Sequence, residues 1–171
     1  SSSVTMNANT PATGNIGTWS QISGPNTANI VNINQKNTII NNLVQGIYVF
    51  RWTITNGTCT PSTSDVTINV FENPTVSNAG TNQTLCSASS VTLNGNQPTI
   101  GTGTWALVSG PNTPSFDNVS LYNTTVNYLT VGTYVFKWTI SNGVCTPSSS
   151  QVTIINNPSP TTANAGISQN L

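Results

Sequence analysis

One stretch occurs twice in this chain and constrains its fold more than any other feature. Residues 46–61 read GIYVFRWTITNGTCTP, and residues 132–147 read GTYVFKWTISNGVCTP, an offset of 86. Tyr48, Phe50, Trp52 and Ile54 recur at every second position, as do Tyr134, Phe136, Trp138 and Ile140. Successive side chains of a β-strand point to opposite faces, so this period places four large groups on one side of a central strand. The Asn-Gly pairs at 56–57 and 142–143 then turn the chain where each strand ends.

The flanking segments repeat in register with that strand. Val4-Thr5-Met6-Asn7-Ala8 has its twin in Val91-Thr92-Leu93-Asn94-Gly95, and the run from Thr18 to Pro25 has its twin in Thr104 to Pro111. Each of the latter carries one tryptophan and is stopped by Gly-Pro. Val66, Ile68 and Val70 alternate with polar residues after the Asn-Gly turn, and Val152 and Ile154 repeat them. No helical periodicity interrupts this series. Six or seven short strands per unit, separated by turn signals, predict an all-β fold of two tandem immunoglobulin-like sandwiches. The expected division is 1–73 for a first unit whose N-terminal strand is truncated, and 74–158 for a second. Residues 159–171 would then hold a linker and the first strand of a third unit. Pro74 and Pro160 at equivalent places suit short, stiff joints. Trp19, Tyr48, Phe50, Trp52, Trp105, Tyr134, Phe136 and Trp138 are the predicted core, although aromatic faces of this kind also serve as sugar-stacking platforms.

Composition matters chiefly for what it excludes. Three basic and three acidic residues in 171, with no net charge, offer no patch for a nucleic-acid backbone or anionic lipid. No apolar run approaches the ~20 residues of a membrane span, so direct membrane insertion is not expected. Histidine is absent, and the carboxylates Asp65, Glu72 and Asp117 do not recur between copies. A nucleophile would lack its base, and paired acid/base carboxylates cannot be assembled from repeat-consistent positions. The expectation is no catalytic residue, no cofactor and no metal site, the last because paired CxxC spacing is also missing. Arg51 and Lys137 sit at equivalent places on the opposite face of the central strand, with Asp65 positioned to pair with Arg51. Ser-Gly-Pro-Asn-Thr is identical at 23–27 and 109–113. Its Ser23, Asn26, Thr27, Ser109, Asn112 and Thr113 are candidate ligand contacts, weighed against the reading of Gly-Pro as a plain strand stop.

Cys59 and Cys145 follow equivalent Asn-Gly turns, whereas Cys86 lies near the start of the second unit. One bridge per unit would join Cys86 to Cys145 and leave Cys59 unpaired by truncation. A Cys59–Cys86 bridge across the joint is the alternative. Closing the loop of about 60 residues between Cys86 and Cys145 would stabilise the fold by roughly 4 kcal/mol in the chain-entropy picture. Either bridge implies an oxidising, extracytoplasmic setting.

The order GTW-x-x-x-SGP, G-x-YVF-[RK]-WTI-[ST]-NG-x-C-x-P, VTI and NAG-x-x-Q-x-L-C resembles the tandem repeats of very large Bacteroidetes surface proteins, of which the gliding-motility adhesins are the type. The single units are similar to the polycystic-kidney-disease (PKD) branch of immunoglobulin-like sandwiches. The resemblance spans essentially the whole chain and implies export by the type IX route and display on the bacterial outer membrane. It also implies a role in adhesion to surfaces or polysaccharide, with neighbouring repeats of the same chain as partners. It supplies no catalytic or ligand-binding residue to carry over.

Overall fold

A computed structural model of the chain describes residues 2–169. Two units emerge, Ser1–Glu72 and Asn73–Leu171, divided one residue ahead of the expected 73/74 boundary. The first holds β1 (Ser2–Thr5), β2 (Ile16–Ser23), β3 (Asn29–Ile30), β4 (Ile39–Leu43), β5 (Gly46–Thr55) and β6 (Ser62–Val70). The second holds β7 (Gln83–Cys86), β8 (Ser90–Thr92), β9 (Thr102–Ser109), β10 (Ser115–Phe116), β11 (Thr125–Asn127), β12 (Gly132–Ser141) and β13 (Ser148–Asn157). Unit 1 forms the sheets β1-β4-β3 and β2-β5-β6, and unit 2 the sheets β10-β11-β8 and β7-β13-β12-β9. Each pair of sheets encloses one core, which makes each unit a β-sandwich.

The repeated stretch forms β5 and β12, the central strands. Each pairs antiparallel with the Trp-bearing strand on one side and the Val/Ile strand on the other. Trp19 lies directly opposite Trp52 in the β2/β5 register, and Trp105 opposite Trp138 in β9/β12. Their ring centroids are 5.1 and 5.0 Å apart at tilts of 44° and 36°. Tyr48 stacks on Phe50, and Tyr134 on Phe136. All eight aromatics are at most 5% exposed. Burying one such ring removes roughly 200 Å² from water, about 5 kcal/mol on an area basis.

Glycines make room for these rings. A Cβ at Gly17 would stand 2.1 Å from Trp52 Cζ2, and one at Gly103 would stand 2.0 Å from Trp138 Cζ2. The indoles therefore lie flat over the backbone of the neighbouring strand. At the other end of each central strand the Asn56 carbonyl accepts the Cys59 amide and Asn142 accepts Cys145, with Gly57 and Gly143 at φ 52° and 54°.

The cysteine pairing needs correction. All three cysteines are free. Strand β7 runs parallel to β13 and sets Cys86 beside Asn157, at the far end of that strand. Cys145 lies in the turn before Ser148, at the near end. About 30 Å of strand separates them, at ~3.3 Å per residue. A bridge requires Cα atoms within about 7 Å. The expected bridge requires the first strand to end beside the central-strand turn, whereas β7 ends beside Asn157. Cys59 is exposed in the equivalent turn of unit 1.

Residues 158–169 form no strand and are exposed. The third-unit strand expected at 167–171 is not formed over 167–169, and Asn170 and Leu171 lie outside the described residues.

Gly103→Ala should lower the stability of unit 2 by about 1–3 kcal/mol through overpacking against Trp138. Unit 1 should be unaffected. Denaturant unfolding followed by tryptophan fluorescence, with the two transitions resolved, checks this.

Candidate functional site

The identical Ser-Gly-Pro-Asn-Thr segments follow β2 and β9, and their asparagines face the first tyrosine of the central strand. In unit 1 the Tyr48 hydroxyl donates to Asn26 Oδ1 and accepts the Val44 amide at 2.9 Å. Asn26 Nδ2 donates to the Asn42 carbonyl at 2.7 Å. Unit 2 builds the same clasp: Tyr134 donates to Asn112 Oδ1 and accepts the Thr130 amide at 2.8 Å, while Asn112 Nδ2 donates to the Tyr128 carbonyl at 2.8 Å. The carbonyl captured in each case belongs to a left-handed residue, Asn42 at φ 61° and Tyr128 at φ 62°. A bulky residue seldom adopts that conformation unaided. The clasp thus fixes the sharp turn that feeds the central strand.

The rest of the segment serves the same turn. A Cβ at Gly24 or Gly110 would lie 2.4 or 2.5 Å from a Tyr48 or Tyr134 ring carbon. Pro25 and Pro111 crowd Gly46 and Gly132, where a Cβ would come within 2.9 Å of the proline Cγ. In unit 1 Gln21 adds a further tie, donating to the Asn26 carbonyl at 2.7 Å and accepting the Ala28 amide at 2.8 Å. Of the six candidate contacts, Asn26 and Asn112 have their amides engaged in the fold, while Ser23, Thr27, Ser109 and Thr113 are exposed. The clasp was missed from sequence. Its signal was present in the repeat of Asn after Gly-Pro together with Tyr two residues after Gly46 and Gly132.

On the outer face of β5, Arg51 grips Asp65 of β6 with two hydrogen bonds, Nε to Oδ1 at 2.7 Å and Nη2 to Oδ2 at 2.8 Å. These bonds, reinforced by the opposite charge, raise the arginine's pKa; the same hydrogen bonding lowers that of the carboxyl. In unit 2 the register sets Lys137 opposite Gln151, so the ion pair is not repeated. Among the described residues no cluster of three or more His, Cys, Asp or Glu could hold a metal ion. No helix among the described residues is long and apolar enough to cross a membrane.

Comparison with known proteins agrees with this architecture. A family model described as K319L-like, PKD domain, matches residues 1–70 and again 79–155. A solution structure of the PKD domain from KIAA 1837 protein is 28% identical and covers 55% of this chain and 92% of its own, with a TM-score of 0.43. The PKD domain of human KIAA0319 is 20% identical over 56% of this chain and 91% of its own, with a TM-score of 0.45. The crystal structure of murine CEACAM1b, 15% identical, covers 88% and 89% with a TM-score of 0.52 and shares the fold. No curated protein sequence matches.

Two outcomes follow from the clasp and the ion pair. Tyr134→Phe leaves Asn112 Oδ1 and the Thr130 amide without their buried partner and should cost about 1–3 kcal/mol. Asn112→Ala should cost a similar amount, and the double variant less than the sum, a coupling a double-mutant cycle in denaturant would measure. For Asp65, the folded pKa lies below the unfolded one. Its contribution is therefore complete above the unfolded value of about 4 and fades as pH falls through the lowered folded value. Asp65→Asn should flatten the acid side of the unit 1 melting profile, as read by thermal scans at decreasing pH.

Proposed function

Because this chain belongs to the K319L-like PKD domain family, we propose that its two units are non-catalytic structural repeats, links in the stalk of a large exported bacterial surface adhesin of the gliding-motility type. The observation that carries this reading is the duplicated interior. The same tryptophan pair and the same Tyr–Asn clasp are built twice, 86 residues apart, from the most similar segments of the chain. Where the two copies agree most closely, their side chains hold the fold together. Such a unit extends a chain in whole-domain steps and performs no reaction. Export by the type IX route, outer-membrane display and contact with surfaces or polysaccharide belong to the same proposal, as properties of the larger protein.

Strand order suits a link under tension. Pulling enters unit 2 at its first strand and leaves at its last, and these strands are adjacent and parallel. Force along them shears the register of Gln83–Cys86 against Ile154–Asn157 all at once. Antiparallel neighbours pulled from one end would instead unzip pair by pair. In unit 1, β1 pairs with β4, as its repeat twin β8 pairs with β11 in unit 2.

Single-molecule stretching of the chain should give two unfolding steps, each releasing about 25–30 nm at ~3.6 Å per residue. The step that belongs to unit 2 should weaken in a Gly103→Ala variant. Saturable glycan binding by the chain, abolished by replacing Ser23, Thr27, Ser109 and Thr113 with core stability intact, would overturn the stalk reading in favour of a binding module.

A further inference from the structure

Asn-Gly occurs three times in the chain, at 56–57, 94–95 and 142–143. Such a pair carries its own reaction. The glycine nitrogen attacks the asparagine Cγ, and no Cβ on the glycine obstructs the approach. A bond forms between that nitrogen and Cγ, the Cγ–Nδ2 bond breaks, and Nδ2 leaves as ammonia with the proton lost by the glycine. Water then opens the five-membered succinimide. Attack at one carbonyl gives aspartate; attack at the other gives isoaspartate, whose main chain runs through Cβ and Cγ. No oxidant or reductant is consumed. The reaction has two structural requirements. The glycine N–H must have no acceptor to hold it, and the asparagine side chain must be free to swing over the nitrogen.

The fold withholds the first of these from Asn94. The Gly95 amide donates to the Tyr122 carbonyl at 2.8 Å. Gly95 is also wedged beside the tryptophan pair, where a Cβ would lie 3.0 Å from Trp105 Cζ2 and 3.2 Å from Trp138 Cδ1. Turning that peptide toward its own side chain breaks the hydrogen bond and presses on a close-packed core. At the third pair, Asn142 is half-buried and has a partner of its own. Its Cβ would stand 3.3 Å from a Cβ placed on Gly101.

The first pair is open on both counts. Asn56, Gly57 and Thr58 lie in the exposed turn between β5 and β6. Among the described residues neither the Asn56 side chain nor the Gly57 amide has a hydrogen-bond partner. Nothing lies within 4 Å of a Cβ at Gly57, so the ring has space to close. The turn is held instead by the Asn56 carbonyl, which accepts the Cys59 amide at 3.0 Å and leaves the Gly57 nitrogen bare.

We propose that Asn56 is a self-modifying site, at which the folded chain converts asparagine to aspartate and isoaspartate with water as the only co-reactant. The outcome matters because charge is so sparse. Lys36 and Arg51 balance Asp65 and Glu72 in unit 1, so a carboxylate at position 56 gives that unit its only net side-chain charge. The isoaspartyl product does more. It lengthens the main chain by one carbon and turns the carbonyl that accepts Cys59 into a free carboxylate. The turn is then rebuilt just beyond the last register pair of β5 and β6, Ile54 with Ser62. Because Gly57 must give up its amide proton, the reaction quickens as pH rises. This inference stands on the turn and does not depend on the stalk reading.

Ageing the full chain in warm, mildly alkaline buffer and mapping its peptides by mass tests the proposal. Conversion adds about one dalton, and an isoaspartyl methyltransferase labels the isoaspartate. In the folded chain Asn56 should convert fastest of the three, roughly tenfold or more ahead of Asn94. In denaturant the three rates should draw together, since the hydrogen bond at Gly95 is gone. Alkaline hydroxylamine, which cleaves the chain at a succinimide, should cut the folded chain first between Asn56 and Gly57. An Asn56→Gln variant keeps the carbonyl that holds the turn, and it should stay uncut at that bond and gain no mass there. An Asn56 that persists in the folded chain overturns the proposal, as does an Asn94 or Asn142 that converts as fast. An order of rates unchanged by denaturant overturns it too, by assigning the difference to local sequence and not to the fold.

Discussion

Each unit depends on two indole rings that meet across neighbouring strands. Trp19 against Trp52, and Trp105 against Trp138, bring together the bulkiest side chains of each core, all at most 5% exposed. Much of the surrounding sequence exists to admit them. Gly17 and Gly103 leave the space in which Trp52 and Trp138 lie, and a single added carbon there meets ring atoms head-on. Stacked Tyr and Phe continue the same face of the central strand. Their burial also imposes a polar demand, since each indole N–H and each tyrosine hydroxyl taken from water needs a partner.

How those demands are met explains the loops. Trp19 Nε1 donates to the Lys36 carbonyl at 3.3 Å and Trp105 Nε1 to the Tyr122 carbonyl at 3.2 Å, which ties the irregular segment of each unit to its core. The tyrosine hydroxyls reach the asparagine of Ser-Gly-Pro-Asn-Thr, so a motif placed like a recognition loop is anchored from inside. A loop tied in this manner has little freedom to reshape around a ligand. The outer faces of the central strands are variable by contrast: a bidentate Arg51–Asp65 pair in one unit corresponds to Lys137 and Gln151 in the other. Exposed ion pairs of that kind contribute little to stability, and the chain does without the second.

The period-2 run in the central strand was enough to identify the core aromatics, because burial of one face is written directly into side-chain alternation. The sandwich class and the two-unit division were legible for the same reason, through the repeat. The Tyr–Asn clasp was harder to see, since its partners are 22 residues apart and polar residues abound in every loop. The cysteine pairing failed because repeat position says where a residue lies along the chain and nothing about which end of a strand faces which turn. Once β7 runs parallel to β13, Cys86 and Cys145 are set at opposite ends.

Sequence alone determined what must be buried. Alternation of Tyr, Phe, Trp and Ile with polar residues leaves one apolar face per strand, and the hydrophobic effect selects a two-sheet solution from that pattern. Tertiary structure decided which edge each strand covers. In unit 2 the parallel pairing of β7 with β13 is such a choice, and Ile140, Val152 and Ile154 are buried in the core while the N–H of Trp138 reaches the Asn96 carbonyl. The physical reason is that backbone donors and acceptors are identical along every strand. Local sequence marks a segment as a strand, but only assembly in three dimensions decides which neighbour that strand takes.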